Sequence, residues 1–320
     1  MKSHGLRLLM IILCIAVVAA GCAGGNKSVS DAGGGAGTGG TPASSSPSSS
    51  SGSGSSGSGG GSAAPAKDTL IVAQEADAGT LDPQKQGKMP DMNILINMFD
   101  TLVTRDANNE LAPGLAVEWR AVDDLTWEFK LRQGVTFHNG EPFNAEAVKF
   151  SIERLNNPDT KSPIVELKTV QEVKVIDEYT VHLITSAPDP ILPNKTVLFG
   201  GVMVPPKYIQ EKGDDHFAMN PVGTGPYKFV SWTKDSEVVM EANENYWGGA
   251  PFFKKLVFKI IPNTSNMAAS LRTGEIDIAA NIRAEVAVQV QGQPDIEVVS
   301  APGIRTYYVV LDTIADTPLK

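Results

Sequence analysis

Hydrophobic and polar positions alternate in two rhythms along residues 68–320. Thr69–Gln74 (TLIVAQ) is an apolar run closed by the acidic loop Glu75–Asp77, the pattern of a buried strand. From Asp91 onward, Ile94, Leu95, Met98, Phe99, Leu102 and Val103 recur at helical spacing, with Asp91 as the expected N-cap. Trp127, Phe129 and Leu131 then alternate with Glu128, Lys130 and Arg132, which predicts a half-exposed strand. His138-Asn139-Gly140 marks a tight turn, because Asn-Gly tolerates positive φ. Asn144 follows as the cap of a helix whose apolar side is Ala147, Val148, Ser151, Ile152 and Leu155.

Further on the rhythm is mostly that of strands. Val173–Ile176 and Thr180–Ile184 flank Asp177-Glu178-Tyr179 as a hairpin, and Tyr227–Val230 with Val238–Met240 form a second one. Leu256–Ile261 is another strand. Asn263 or Thr264 opens a helix that runs to Arg272, with Gly274 just past its end. Strands follow at Ile276–Ala279 and Thr306–Leu311. This mixture lacks a strict βαβα rhythm and fits an α/β or α+β domain with hairpin insertions.

One stretch, NPVGTGPYKFVSW (Asn220–Trp232), could be a phosphate-cradling glycine loop or a turn into a strand. A phosphate loop leads from a strand into a helix N-terminus. Here Gly223 and Gly225 are followed by Pro226 and by β-type alternation, so the glycines serve a backbone-crowded turn.

The front of the 320-residue chain has a different character. Lys2 and Arg7 precede an apolar run, Leu8–Ala20, that is shorter than the roughly 20 residues a membrane-spanning helix needs. A basic start, a short apolar core and Ala19-Ala20-Gly21-Cys22 form a secretory signal ending in a lipobox-like site. Cys14 leaves with the signal. Cys22 is then the one cysteine of the mature chain, so no internal disulfide can form, and a lipid thioether is its expected modification. Residues 22–67 are rich in Gly, Ser, Ala, Thr and Pro and cannot bury enough apolar surface to fold. They read as a tether of roughly 35–40 Å. Gly35, Gly37 and Gly40 match a dinucleotide-binding spacing in form, but no strand precedes them and no helix follows.

Loss of Lys2 and Arg7 takes the net charge from −9 to −11. A surface that acidic, without basic clusters, excludes nucleic acid as a partner. His138, His182 and His216 fall at no metal-ligand spacing, and no nucleophile elbow, P-loop or C-x-x-C is present. Neither catalysis nor a metal or other cofactor is expected. Trp127 belongs to a regular alternation and reads as core, whereas Trp232 and Trp247 lie near edges where a ligand could meet them.

Several stretches, in order, resemble the family 5 solute-binding lipoproteins of ABC transporters, which take up oligopeptides, dipeptides and nickel chelates. They are LIVAQEADAGTLDPQ, the long segment from LAPGLAVEW to AVKFSIERL, PVGTGPYKFVSW, NENYWGGAPFFKKLVFKIIP and LRTGEIDIA, and they cover essentially all of 68–320. The resemblance implies an α/β clamshell of the type II periplasmic-binding-protein class. It divides the chain into a signal (1–21), a linker (22–67), lobe I (68–110 and 198–302), an extra subdomain (111–197) and the start of a second lobe (303–320). Family members continue beyond a segment like TPLK, so the second lobe is expected to be largely missing and the chain to be truncated. By the same resemblance, Glu75, Ala76, Asp77, Leu81 and Tyr307 are the expected ligand contacts. A monomer anchored on the outer face of the cell membrane through Cys22 is expected, delivering peptide to permease subunits. A receptor for nickel or another small solute, and a surface interaction module that transports nothing, are the alternatives.

Overall fold

The computed structural model describes residues 67–300. The signal, Cys22, nearly all of the linker, the strand expected at Thr306–Leu311 and Tyr307 lie outside the described residues. In chain order the elements are β1 (Thr69–Gln74), α1 (Met89–Leu95), β2 (Val103–Arg105), β3 (Leu111–Pro113), β4 (Ala116–Ala121) and β5 (Thr126–Leu131). Next come α2 (Ala145–Asn156), β6 (Val170–Asp177), β7 (Thr180–Thr185), α3 (Leu192–Lys195), α4 (Pro206–Lys212) and α5 (Asp214–Met219). The last are β8 (Tyr227–Thr233), β9 (Glu237–Ala242), β10 (Lys255–Ile260), α6 (Thr264–Arg272), β11 (Ile278–Ala279) and α7 (Ala284–Val290).

Two larger sheets and one ribbon carry the strands. The five-stranded sheet runs β11-β1-β10-β9-β8, with β1 parallel to both of its neighbours and the β10-β9-β8 portion antiparallel. The four-stranded sheet, β4-β5-β7-β6, is wholly antiparallel and falls within 111–197, and α2 packs on β6 and β7. The β2-β3 ribbon joins residue 105 to residue 111 across a short turn. One hydrophobic core includes side chains from both sheets, from Val72 and Phe258 to Phe129 and Val181.

Alternation sorts the four-stranded sheet into two faces. Trp119, Phe129, Val181 and Val175 stand opposite one another in register and turn to the core. One residue along each strand, Arg120, Glu128, His182 and Lys174 make a polar row. Glu128 departs from the expected half-exposure, because Arg120 Nε (2.9 Å) and His182 Nε2 (3.0 Å) bracket and bury its carboxylate.

Local capping behaves as the sequence predicts in two helices. Asn144 accepts from the amides of Glu146 and Ala147, and Asn263 from those of Ser265 and Asn266. Gly274 follows α6 at φ 72°. The first helix differs from expectation. Pro90 is pre-set for the first turn, so Lys88 becomes the cap residue and Asp91 lies inside α1. Its carboxylate reaches out of the helix to accept from the Gly79 amide (2.7 Å). Although α1 stops at Leu95, its apolar face stays buried through Met98, Phe99, Leu102 and Val103. The strand expected at Ile276–Ala279 shrinks to two residues, because Ile276 instead fills a small core with Ala73 and Met267.

Gly223 and Gly225 lie against the backbone of Met98. A Cβ at Gly223 would overlap the Met98 carbonyl oxygen, and one at Gly225 would come to 2.6 Å from the Met98 carbonyl carbon. Gly225 donates to that carbonyl at 2.9 Å. His138 closes the turn from the other side. Its Nδ1 accepts from the Gly223 amide (3.3 Å), so Nε2 carries the proton and donates to the Gly225 carbonyl (2.9 Å). The stretch is a clamp between a turn and the end of a helical segment, and it leads into β8.

Candidate ligand edge

Because β1, β10 and β11 run parallel, their C-terminal ends share one edge of the sheet. The loop after β1 leaves there, as do the connections into α6 and α7. Open α/β sheets bind ligands outside the carboxyl ends of their strands, so this edge is the place to look for a site.

Three groups shape it. Gln74, buried at the end of β1, donates to the carbonyls of Ala76 (2.9 Å) and Pro90 (3.3 Å) and accepts from Asn93 (3.2 Å). That pins the start of the loop to α1. Asp77 then locks its far side. The carboxylate accepts from the Ala78 amide (2.7 Å), the Asp235 amide (2.8 Å) and Trp232 Nε1 (3.0 Å), and Lys234 Nζ lies 3.4 Å away over the Trp232 ring. Finally, Glu75 stays half-exposed with Arg283 Nε at 3.7 Å, linking the loop to the entry of α7.

The five expected ligand residues therefore fare differently. Glu75 and the exposed Ala76 stand at the edge. Asp77 has its acceptors committed to the β8–β9 turn, and Leu81 has no exposed surface. These two side chains build the loop. Tyr307 is outside the described residues. Trp232, considered for stacking on a ligand, instead anchors Asp77. Sequence reasoning passed over Gln74, Asn93 and Arg283, since their part depends on the end of β1 meeting α1, 16 and 19 positions on, and the entry of α7.

A second polar cluster, behind the loop, is structural. Arg154 on α2 bonds Asp82 (2.6 Å), Gln84 (2.6 Å) and Asp214 (2.9 Å). Burial works against its charge, but the Asp82 and Asp214 carboxylates outweigh it and hold the guanidinium above its usual pKa. Among the described residues no group of three His, Cys, Asp or Glu side chains could hold a metal ion, and no helix is long and apolar enough to cross a membrane.

Comparison with known proteins agrees with this architecture. The family model described as bacterial extracellular solute-binding proteins, family 5 Middle, matches residues 110–320. The glutathione-binding protein GsiB of Salmonella typhi is 30% identical over 253 residues, which are 78% of this chain and 49% of that protein. The probable D,D-dipeptide-binding periplasmic protein DdpA of Escherichia coli is 29% identical over 260 residues, 78% of this chain and 50% of that protein. Among solved structures, NikZ of Campylobacter jejuni in complex with Ni(L-His) is 34% identical with a TM-score of 0.61, covering 66% of this chain and 42% of that one. DppA of Helicobacter pylori in complex with the peptide STSA is 29% identical with a TM-score of 0.65, covering 71% and 49%. The chain thus spans about half the length of the curated relatives it matches. With its α/β fold shared with these structures and two thirds of its length inside the family model, the chain belongs to the bacterial extracellular solute-binding proteins of family 5.

Proposed function

We propose that the protein is the solute-capturing component of an ABC importer that takes short peptides and hands them to membrane permease subunits. The carrying observation is the edge where β1, β10 and β11 end, with Glu75 half-exposed beside the exposed Ala76. A peptide ammonium pairs with the Glu75 carboxylate, and extended peptide backbone bonds along the loop at Ala76. Asp77 and Leu81 hold the loop in shape, and Tyr307 is a further ligand contact in this reading. Relatives whose names specify glutathione, D,D-dipeptide or a bound tetrapeptide support the peptide class. The role is capture and release, with no covalent step. A lipid on Cys22 holds the monomer at the outer face of the membrane.

A nickel chelate is the second reading, favoured by the 34% identity to a protein solved with Ni(L-His). Nickel would arrive as cargo carrying its own ligand.

Calorimetry on the protein extracted from its host's membranes separates the two. Dipeptides, tripeptides, glutathione and nickel–histidine are titrated in turn. Saturable peptide binding that weakens about tenfold in Glu75→Gln is expected, the size of one charge-assisted contact. A folded protein that binds none of the peptides sinks the peptide reading, and binding of nickel–histidine alone puts the second reading in its place. Cys22→Ser should release the protein from the membrane fraction. Retention there would overturn the anchor.

A further inference from the structure

Away from the ligand edge, a cavity of about 620 Å³ opens between the end of α1, the β2-β3 ribbon, the turn at Leu198–Gly201 and the Tyr246-Trp247 segment. Its size falls within the ordinary range for small-molecule pockets. Much of the wall is apolar, from Ile96, Phe99, Val197, Leu198 and Val202. Two of these side chains are exposed, Ile96 at 56% and Leu198 at 54%. Leu198 also holds φ 59°, a conformation that a leucine rarely adopts, so the fold presents an apolar side chain here against its backbone preference.

Asp100 gives the cavity its polarity. The carboxylate accepts from Tyr246 Oη (2.9 Å), Trp247 Nε1 (2.8 Å) and Thr224 Oγ1 (2.9 Å), and it forms no ion pair among the described residues. All three donors are neutral, and they leave one carboxylate lone pair unused. Burial pushes the Asp100 pKa up in spite of these bonds and of the nearby Arg132 charge. Arg132 itself lies over the Trp247 ring, 4.1 Å from its centre, and donates to the Gly114 carbonyl. The other charge on the cavity, Arg105, is exposed and already bonded to the Asn109 carbonyl and Asn194 Oδ1. Water screens an exposed charge of that kind, whereas the half-sunk carboxylate keeps its field.

We propose that this cavity is a second ligand site, distinct from the edge at Glu75, which takes a small molecule with an apolar body and an ammonium head seated at Asp100. The apolar body covers Ile96, Phe99 and Leu198, and the ammonium supplies the cation that Asp100 lacks. An anion of the same shape meets the Asp100 charge and is rejected.

The test uses the full chain and three probes that share one phenylethyl body, phenethylamine, 2-phenylethanol and 3-phenylpropanoate, followed by calorimetry and ligand-observed NMR. Phenethylamine is expected to bind saturably and about tenfold tighter than the alcohol, with the acid weakest. Asp100→Asn should erase the preference for the amine. Ile96→Ser, an exposed change that spares the fold, should weaken amine and alcohol alike. Because Asp100 also holds Tyr246, Trp247 and Thr224, the charge series on the unaltered chain and Ile96→Ser decide the matter if Asp100→Asn does not fold. Glu75→Gln should leave amine binding unchanged, which keeps this site separate from the peptide reading. Equal affinity for the three probes, no saturable binding by a folded chain, loss of amine binding in Glu75→Gln, or an amine preference that survives Asp100→Asn would each overturn the proposal.

Discussion

The two sheets are built on different plans. In the four-stranded sheet, the β4-β5 and β6-β7 pairs are consecutive in sequence and turn on themselves within a few residues. In the five-stranded sheet, the internal strand β1 pairs with Lys255–Ile260, 186 positions further along. The first needs alternation, a cap and one longer pairing, β5 with β7, that joins its two hairpins. The second depends on contacts between segments that are far apart in the chain: Asp77 with Trp232, Asp82 with Arg154 and Asp214, and Met98 with Gly223 and Gly225. The candidate ligand edge lies on the second plan, so what positions it is long-range.

If that contrast is right, damage to the long-range contacts should cost most. The largest effect is expected from Gly223→Ala, whose new methyl meets the fixed backbone of Met98 and the buried Phe99 ring. A loss of about 4 kcal/mol or more is expected, read as a shifted urea midpoint or as failure to fold. A loss under about 1 kcal/mol would show that the Met98 seam can yield. Next comes Arg154→Met, which strands the fully buried Asp82 without its cation. About 3–5 kcal/mol should disappear, and Asp82→Asn added to it should return part of that loss.

The third test is a pH titration. Burial, ahead of any other cause, lowers the His138 pKa from 6.5 to about 4. The unfolded state therefore binds the proton first, and the stabilisation is full above pH 6.5 and fades as pH falls toward 4. Within that window His138 should contribute a slope of about 1.4 kcal/mol per pH unit. Urea midpoints of the parent and of His138→Gln, compared from pH 7 to pH 4, should differ by that slope, and parallel curves would remove His138 from the clamp. The smallest effect belongs to the local plan. Asn144→Ala takes away one cap of α2 and should cost about 1 kcal/mol. A larger cost there than at Gly223 would invert the comparison.

The same division decides what the amino-acid sequence reveals. Hairpins at β6-β7 and β8-β9, the caps at Asn144 and Asn263 and the glycine after α6 are all written in neighbouring residues, and all are legible. Gly223 and Gly225 were legible as a crowded turn, although nothing nearby names Met98 as the crowding partner. Asp91 shows the limit in one residue. Its type suits a cap, but Pro90 claims the first turn and Gly79 claims the carboxylate. At the ligand edge, Glu75 and Ala76 were named only through the family resemblance, the acidic run after β1 marking no more than a loop. Arg283 was not, because an arginine before a short helix carries no local sign of a partner more than 200 positions away. Leu81 and Asp77 belong to the same loop, and only the folded chain distinguishes the residues that face outward from those that fasten it.

The parallel pairing of β1 also has a consequence in time. A ribosome adding about 5–20 residues per second needs roughly 10–40 s to pass from β1 to β10. Throughout that interval TLIVAQ has neither of its sheet neighbours, and over its later part, once residue 185 is made, the hairpins of residues 116–185 are complete on the growing chain. The newborn protein therefore carries a finished antiparallel module beside a naked apolar strand. A holding chaperone that reads short extended apolar segments would find its target in that strand until Lys255–Ile260 emerges.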